Sequence, residues 1–473
     1  MTPVDFAGSR VAVAGAAVSG LSVARVMLER GARVLVVDGR DDEPLHESLA
    51  PLIAGGAEVR LGDAESPIDA DLVVTSPGWR PDQPMLAAAQ AAGIEVIGEP
   101  ELAWRLRPWL DGGGYAPWVA ITGTNGKTTT VGMVESILQA AGFRTVAAGN
   151  VGRPLIDVVL DPKPYDVIAV ELSSFQLHWS SELAPDVGVV LNIAEDHLDW
   201  HGSMEAYAAA KAAIWRQGGE GVYNAEDAHV AAMATDALSC PHPFSTTVPS
   251  IGGIGVVGGV IIDELTNGLT HTPLVDLHDL AVSGPHNVAN AVAAATATRV
   301  FGLKGGYELS AEAVGDGLRA YRPGHHRNEV VGQAGGVTWV NDSKATNPHA
   351  AAASLSAYPS VVWIAGGLLK GADVEPLVAE QGGRLRGAVL IGRDKAQIAE
   401  ALARHAPDVP VVTVVTDETS GMDEAVQAAA ELAQPGDTVL LAPAAASMDM
   451  FRDYAERGDR YAAAVRRIID YLS

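Results

Sequence analysis

Short apolar runs that alternate with Ala-rich, amphipathic stretches constrain this chain more than any other feature. A strand covered on both faces reads as a continuous run of Val, Ile, Leu and Ala, and its crossover to the next parallel strand is usually a helix. Runs of this kind fall at 10–13, 33–37, 58–61, 71–75 and 94–97, then at 118–122, 167–170 and 187–192. A last group falls at 338–341, 361–365, 389–391, 411–415 and 438–442. Helical periodicity is clearest over 128–141, stopped by Gly142, over 287–300, and over 422–433, stopped by Gln434-Pro435-Gly436. The pattern predicts α/β layers built on mostly parallel sheets.

Two breaks divide this alternation. Asp111-Gly112-Gly113-Gly114 and Tyr321-Arg322-Pro323-Gly324 fit no regular element. They predict three domains, at 1–112, 113–322 and 323–473, in a chain of 473 residues. Residues 218–274 are rich in Gly and Pro and hard to place, apart from a strand-like piece at 255–262. The uncharged run 11–24 follows Arg10 as a signal peptide would, but Gly15 and Gly20, then Arg25, Glu29 and Arg30, fit strand, turn and helix better.

A formal net charge of −26 repels nucleic-acid backbones and anionic membrane surfaces, so neither is an expected partner. No apolar run is long enough to cross a bilayer, so no membrane insertion is expected. The one cysteine, Cys240, excludes an internal disulfide and a cysteine-rich metal site, and fits a reducing compartment.

The strongest chemical signal is Gly123-Thr124-Asn125-Gly126-Lys127-Thr128-Thr129, between a predicted strand and a predicted helix. Glycines let backbone N–H groups close around phosphate oxygens, and the helix N-terminus adds partial positive charge. Lys127 is placed to reach the β- and γ-phosphates, and the Thr128 hydroxyl to ligate Mg²⁺. The spacing departs from G-x-x-x-x-G-K-[ST], because Ile121 stands where the first glycine would be.

Glu171, in Val170-Glu171-Leu172-Ser173-Ser174-Phe175-Gln176, and His197, in Asn192-Ile193-Ala194-Glu195-Asp196-His197, follow predicted strands at the edge that carries the phosphate loop. A lone histidine at a strand end is more often hydrogen-bonded structure than a ligand. The shared edge favours a divalent-metal role for both residues. The first domain has Gly15-Ala16-Ala17-Val18-Ser19-Gly20 and a strand ending near Asp38, which suits a turn beside a nucleotide phosphate but is not G-x-G-x-x-G. In the third, Asn341-Asp342-Ser343-Lys344-Ala345-Thr346-Asn347-Pro348 and Gly366-Gly367-Leu368-Leu369-Lys370-Gly371 place Lys344 and Lys370 at strand ends, where they suit an anionic substrate.

These motifs, taken in order with Gly284-Pro285-His286-Asn287 and His326-Arg327, resemble the Mur ligase family along essentially the whole chain. The 341–348 run resembles the members that add D-glutamate. The resemblance implies a Rossmann-like uridine-nucleotide domain, a central P-loop-type ATPase domain and a Rossmann-like domain for the amino acid. It implies a cytoplasmic, monomeric enzyme of peptidoglycan precursor synthesis, which joins D-glutamate to UDP-N-acetylmuramoyl-L-alanine at the expense of ATP, through an acyl phosphate.

By the same resemblance, Ser19, Asp38, Arg40 and Gly78 lie around the UDP moiety, and Gly123–Thr129 with Lys127 hold the ATP phosphates. Asn287 and Asn290 lie near the adenine, and Arg327 and Asp342 contact ATP phosphate and ribose. Asn150, Lys344, Thr346, Lys370, Ser447 and Tyr454 lie near the muramoyl-alanine or D-glutamate end. Thr128, Glu171, His197 and Lys211 hold two Mg²⁺ ions, Lys211 as a carbamate formed with CO₂, which requires a neutral amine and so a place that lowers its pKa, for example by burial. Lys127, His197 and Lys211 are the implied catalytic residues. Leu368 and Leu369 replace a more polar pair found in some members, and Tyr454 stands where some have Phe.

An oxidoreductase reading of the Rossmann-like blocks leaves the phosphate loop unexplained and lacks its own fingerprint. A non-catalytic nucleotide-binding module leaves Glu171, His197 and Lys211 unexplained. A ligase of the same family for another amino acid is disfavoured by the 341–348 run.

Overall fold

The computed structural model describes residues 6–238, 241–265, 271–282, 284–307, 309–415 and 418–472. Cys240 lies outside the described residues. Three sheets carry the fold. The first has five parallel strands in the spatial order Glu58–Leu61, Arg33–Asp38, Arg10–Ala14, Leu72–Thr75, Glu95–Gly98. The strand order reverses between Arg10–Ala14 and Leu72–Thr75, which opens a crevice at their carboxyl ends.

The second sheet has nine strands, in the order Thr272–Asp276, Val260–Asp263, Ile254–Val257, Pro241–Phe244, Glu220–Asn224, Val187–Val190, Trp118–Thr122, Val167–Glu171, Thr145–Gly149. From Pro241–Phe244 to Thr145–Gly149 it is parallel throughout. Its other end is an antiparallel meander. The strand-like piece expected at 255–262 is therefore two strands of a hairpin. Gly258 and Gly259, with φ of 60° and 83°, supply the left-handed turn between them.

The third sheet has six strands, in the order Glu329–Ala334, Val337–Asn341, Thr438–Leu441, Val361–Gly366, Leu385–Ile391, Val411–Thr413. Only the first pair is antiparallel. Alternate residues of its strands feed two cores. Val340, Trp363, Leu390 and Leu440 enter one; Trp339, Ile364, Val389 and Val439 enter the other.

The run 11–24 is the strand Arg10–Ala14, a turn, and the helix Val18–Glu29. Expected helices appear at Lys127–Ala140, Pro285–Gly305 and Gly421–Leu432. Among the described residues, no helix is long and apolar enough to cross a membrane.

Contacts divide the chain into two compact units. One comprises Met1–Ile193, Ser203–Leu280 and Ala289–Tyr321, and so holds the first two sheets; the other comprises Ala194–Gly202, Ala281–Val288 and Arg322–Ser473. Within the first unit, the helix Glu99–Arg105 fastens the five-stranded sheet to the nine-stranded one. Glu101 is fully buried, and its carboxylate accepts from the backbone N–H groups of Ser181, Glu182 and Leu183 at 3.0–3.1 Å and from Arg105 Nε at 3.0 Å. A buried carboxylate so fully supplied with donors forms a rigid joint.

Glu99, two residues earlier, is also buried but less well supplied. Its Oε1 accepts from Ile156 N at 2.6 Å, while Oε2 has no partner. Burial raises this carboxyl to about 7, and Asp157 nearby adds to the rise. A carboxyl raised in the folded state favours folding while it is protonated. That contribution is complete below its ordinary pKa of 4.5 and is lost as pH rises through about 7. Glu99→Gln reproduces the shape of the neutral acid. We expect it to melt above the wild type at pH 8 and together with it at pH 4.5; parallel melting curves at both pH values would refute the assignment.

Candidate active site

The phosphate loop joins the strand Trp118–Thr122 to the helix Lys127–Ala140. Gly123 and Gly126 have φ of 151° and 85°. A Cβ on Gly126 would lie 2.3 Å from Asn290 Oδ1, so the loop closes on a helix that only glycine lets approach. Asn290 also accepts from Thr130 Oγ1 at 3.2 Å. Asn192 clamps the loop from the other side: its Oδ1 accepts from Asn125 N at 2.8 Å and its Nδ2 donates to Asn125 O at 3.1 Å. Thr128 and Thr129 occupy the first turn of the helix, where backbone N–H groups lack intrahelical acceptors.

Two lysines meet at one carbonyl. Lys127 Nζ donates to Gly123 O at 2.9 Å and to Thr124 O at 2.8 Å, and Lys211 Nζ donates to Gly123 O at 2.8 Å. Lys211 is 1 % exposed, on the helix Met204–Ala212, and its ammonium lies 4.6 Å from the centre of the Tyr207 ring. Tyr207 OH and Thr124 Oγ1 are 2.9 Å apart. Lys211 is thus buried as expected, and against the phosphate loop.

Glu171 ends its strand, as expected, and is 2 % exposed. Its Oε1 accepts from Asn150 Nδ2 at 2.9 Å, while Oε2 is buried without a partner. An orphaned buried carboxylate oxygen at the phosphate-loop edge fits a cation ligand. The structure places Asn150 on Glu171, a pairing the sequence did not indicate. Among the described residues, no group of three or more His, Cys, Asp or Glu is gathered as a metal site. The fit rests on Glu171, at the end of a strand that pairs with the strand leading into the phosphate loop, in the first unit. His197 belongs to the second unit, at φ 56°, with Nε2 3.6 Å from Asp196 Oδ2.

At the crevice of the five-stranded sheet, Asp38 Oδ2 accepts from Ala16 N at 2.8 Å and pairs with Arg40 at 3.1 Å. Burial works to raise this carboxyl, but hydrogen bonds from Arg40 and Ala16 hold it below the ordinary value. Ser19 lies in the first turn of Val18–Glu29, a helix with no side-chain cap. Gly20 lets this helix sit against the turn, since its Cβ would meet Gly15 O at 1.8 Å. Trp79, next to Gly78, escaped sequence reasoning. Its indole Nε1 lies 2.9 Å from where a Gly15 Cβ would stand, so the ring overhangs the turn. An aromatic directly after a glycine at a strand end was the available signal.

In the second unit, three loops gather at the carboxyl ends of parallel strands. They follow Val337–Asn341, Val361–Gly366 and Thr438–Leu441. Leu368 and Ala446 exchange backbone hydrogen bonds of 2.8 and 2.9 Å, tying the Lys370 loop to the Ser447 loop. Lys370 is exposed at φ 54°, Ser447 is 4 % exposed, and Thr346 N donates to Lys344 O at 2.8 Å. Lys344 Nζ stands 3.9 Å from the centre of the Tyr454 ring, a cation–π pair.

Beneath these loops lies Arg457, also missed in the sequence, buried and bound to Ser343 Oγ, Ser343 O and Ala445 O at 2.8–3.0 Å. Burial lowers it to about 9. Desolvation raises Asp342 to about 6, against a hydrogen bond from Asn328 N and the nearby Arg327. Asn287 is 8 % exposed in the first turn of Pro285–Gly305.

A phosphate loop in one unit and an anion-suited loop cluster in the other define a nucleotide-handling α/β protein of several sheets. Models of the Mur ligase MurD-like N-terminal domain, the Mur ligase middle domain and the Mur ligase glutamate ligase domain match residues 9–98, 121–298 and 326–445. The chain belongs to the Mur ligase family. It is 52% identical over 474 residues to a UDP-N-acetylmuramoylalanine–D-glutamate ligase of Thermobifida fusca, covering 98% of this chain and 100% of the relative. The protein of that name from Streptomyces coelicolor is 51% identical, covering 98% and 99%, and that from Mycobacterium avium is 46% identical, covering 98% and 97%. In fold it is similar to the UDP-N-acetylmuramate-alanine ligase of Thermotoga maritima, at a TM-score of 0.59 and 17% identity, covering 97% of this chain and 100% of that one.

The contact between Gly126 and Asn290 makes a direct prediction. Gly126→Ala combines an overpacked contact with a left-handed backbone and should cost about 1–3 kcal/mol or more. Urea unfolding measures it; an unchanged midpoint would show that the loop does not close on Asn290.

Proposed function

We propose that this protein ligates D-glutamate to UDP-N-acetylmuramoyl-L-alanine, with ATP as the energy source, in peptidoglycan precursor synthesis. The observation that carries the reading is the meeting of Lys127 and Lys211 on the phosphate loop, beside Glu171 with its unpartnered oxygen. Full-length likeness to D-glutamate ligases supports the choice of amino acid. On this reading the enzyme is cytoplasmic and monomeric, and the chain has three functional domains, at 1–112, 113–322 and 323–473.

A carboxylate and an ammonium do not condense in water unless the carboxylate first becomes a good acyl donor. The alanine carboxylate attacks the γ-phosphorus of ATP. A carboxylate O–P bond forms, the bridging P–O bond breaks, and ADP leaves. The neutral amine of D-glutamate then attacks the acyl carbon, its nitrogen gives up a proton to solvent, and collapse of the tetrahedral intermediate breaks the C–O bond and expels phosphate.

Bringing two anions together is the difficulty of the first step. Lys127 and the N–H groups of the loop and helix start oppose that repulsion at the γ-phosphate. Thr128, Glu171, His197 and Lys211 as its carbamate are the residues that would hold Mg²⁺, two ions in this reading. The metal supplies charge neutralisation on the phosphates when bound. The carbamate forms when the neutral Lys211 amine adds to CO₂ and loses a proton, which turns a cation into an anionic ligand. Asn150 orients Glu171 through its 2.9 Å hydrogen bond.

At the first sheet, Ser19, Asp38, Arg40 and Gly78 surround the UDP moiety. Asn287 and Asn290 face the adenine, and Arg327 and Asp342 meet ATP phosphate and ribose. Lys344, Thr346, Lys370, Ser447 and Tyr454 take the D-glutamate carboxylates and the muramoyl-alanine end.

ATP-dependent phosphate release with UDP-N-acetylmuramoyl-L-alanine should occur with D-glutamate and not with L-glutamate, L-alanine, L-lysine or diaminopimelate, with product mass as the check. Turnover with another amino acid on the panel would keep the ligase chemistry and overturn the substrate. Lys211→Ala should lose about a hundredfold or more of kcat, and short carboxylic acids should restore part of it. Full activity without them, or no rescue at all, counts against the carbamate.

A further inference from the structure

Arg327 sits between two residues of left-handed backbone that are not glycine: His326 at φ 62° and Asn328 at φ 52°. Few L-residues adopt this conformation, and two that flank a single residue require fixing from outside. Both are fixed. His326 Nδ1 is 2.9 Å from Asn341 Nδ2, its backbone N donates to Glu329 Oε2 at 2.9 Å, and its carbonyl accepts from Lys344 N at 3.2 Å. Asn328 N donates to Asp342 Oδ1 at 3.2 Å, and Asn328 Oδ1 accepts from Tyr358 OH at 2.9 Å.

The guanidinium between them is bound differently. Among the described residues no hydrogen bond from protein holds it, and it lies against Gly324, whose Cβ would come within 2.8 Å of an Arg327 terminal nitrogen. The backbone beneath the arginine is pinned on both sides, while its five donors remain available to an anion.

We propose that Asn328 and Tyr358 are positioning residues for ATP use: together they hold the left-handed turn that aims the Arg327 guanidinium at a nucleotide phosphate. The inference rests on the reading above that Arg327 meets ATP phosphate. Asn tolerates the left-handed region better than any residue with a longer or branched side chain, which accounts for the residue type at 328. Tyr358 supplies the fixing hydrogen bond from a helix-flanking position after Pro348–Ser356, outside the motif itself. Burial and the neighbouring Asp342 raise the Tyr358 hydroxyl above its ordinary value, so it remains a donor at neutral and moderately alkaline pH.

Steady-state kinetics of the full-length enzyme, varying each of its three substrates, separates the contributions. Arg327→Ala should lower kcat/KM for ATP by about a hundredfold. Tyr358→Phe removes only the fixing hydrogen bond and should lower it by about fivefold. Asn328→Gly removes the acceptor but accepts the backbone, and should match Tyr358→Phe. Asn328→Ala loses both and should fall a further fivefold or so. The double variant Tyr358→Phe/Asn328→Gly should be no worse than either single change, since both remove one bond.

In all of these, KM for D-glutamate and for the uridine nucleotide should stay at the wild-type value, a selectivity that general loosening of the fold would not produce. Wild-type ATP kinetics in Arg327→Ala would overturn the reading of Arg327 and this inference with it. An impaired Arg327→Ala beside wild-type Tyr358→Phe would overturn the positioning role alone, as would equal losses in KM for all three substrates. Tyr358→Phe is conservative enough to decide the matter should Asn328→Ala fail to fold.

Discussion

The carbonyl oxygen of Gly123 accepts from two ammonium groups, those of Lys127 and Lys211. Each cation comes from a different helix, so the shared acceptor draws Lys127–Ala140 and Met204–Ala212 to one end of the strand Trp118–Thr122. Charge-assisted hydrogen bonds of this kind are strong where water is excluded. Their convergence sets the shape of the loop on which the Asn192 clamp, the Asn290 contact and the Tyr207–Thr124 pair all depend.

The same economy recurs at each sheet. The side chains proposed for binding sit where the strand order reverses, because neighbouring loops diverge at such points and leave a crevice. Gly15–Gly20 and Trp79 flank one reversal, the phosphate loop another, and the Lys344, Lys370 and Ser447 loops the third. One buried charged group is structural. Arg457, buried on carbonyl oxygens beneath the Ser343 and Ala445 loops, holds two of the loops in register.

Much of this was legible in the sequence. Strands such as Arg33–Asp38 and Val361–Gly366 are continuous apolar runs because both of their faces are covered, and such runs announce themselves. The edge strand Glu329–Ala334 did not, because it is half exposed and carries Glu, Gly and Gln. The strand Thr145–Gly149 is made of small residues with no periodic signature. In the hairpin at 254–263, Gly258-Gly259 was a turn signal hidden inside what read as one apolar piece. The phosphate loop, Glu171 and Lys344 lie at or just after strand ends, where their types and spacing had marked them. Asn328, Tyr358, Trp79 and Arg457 act through tertiary contacts, which a single sequence does not record.

Glu99 and Glu101 bear on how the molecule can be taken apart. Both carboxylates belong to the segment that follows the five-stranded sheet, yet their backbone donors, at Ile156 and Ser181–Leu183, lie in the nine-stranded part of the chain. A fragment severed near residue 112 would expose the floor of that joint and leave two acidic groups stranded on apolar surface. Loss of one partner from a buried charged arrangement is costly. For anyone excising pieces of this protein for separate expression, a cut near residue 112 is the wrong one, because the five-stranded and nine-stranded sheets belong to one compact unit.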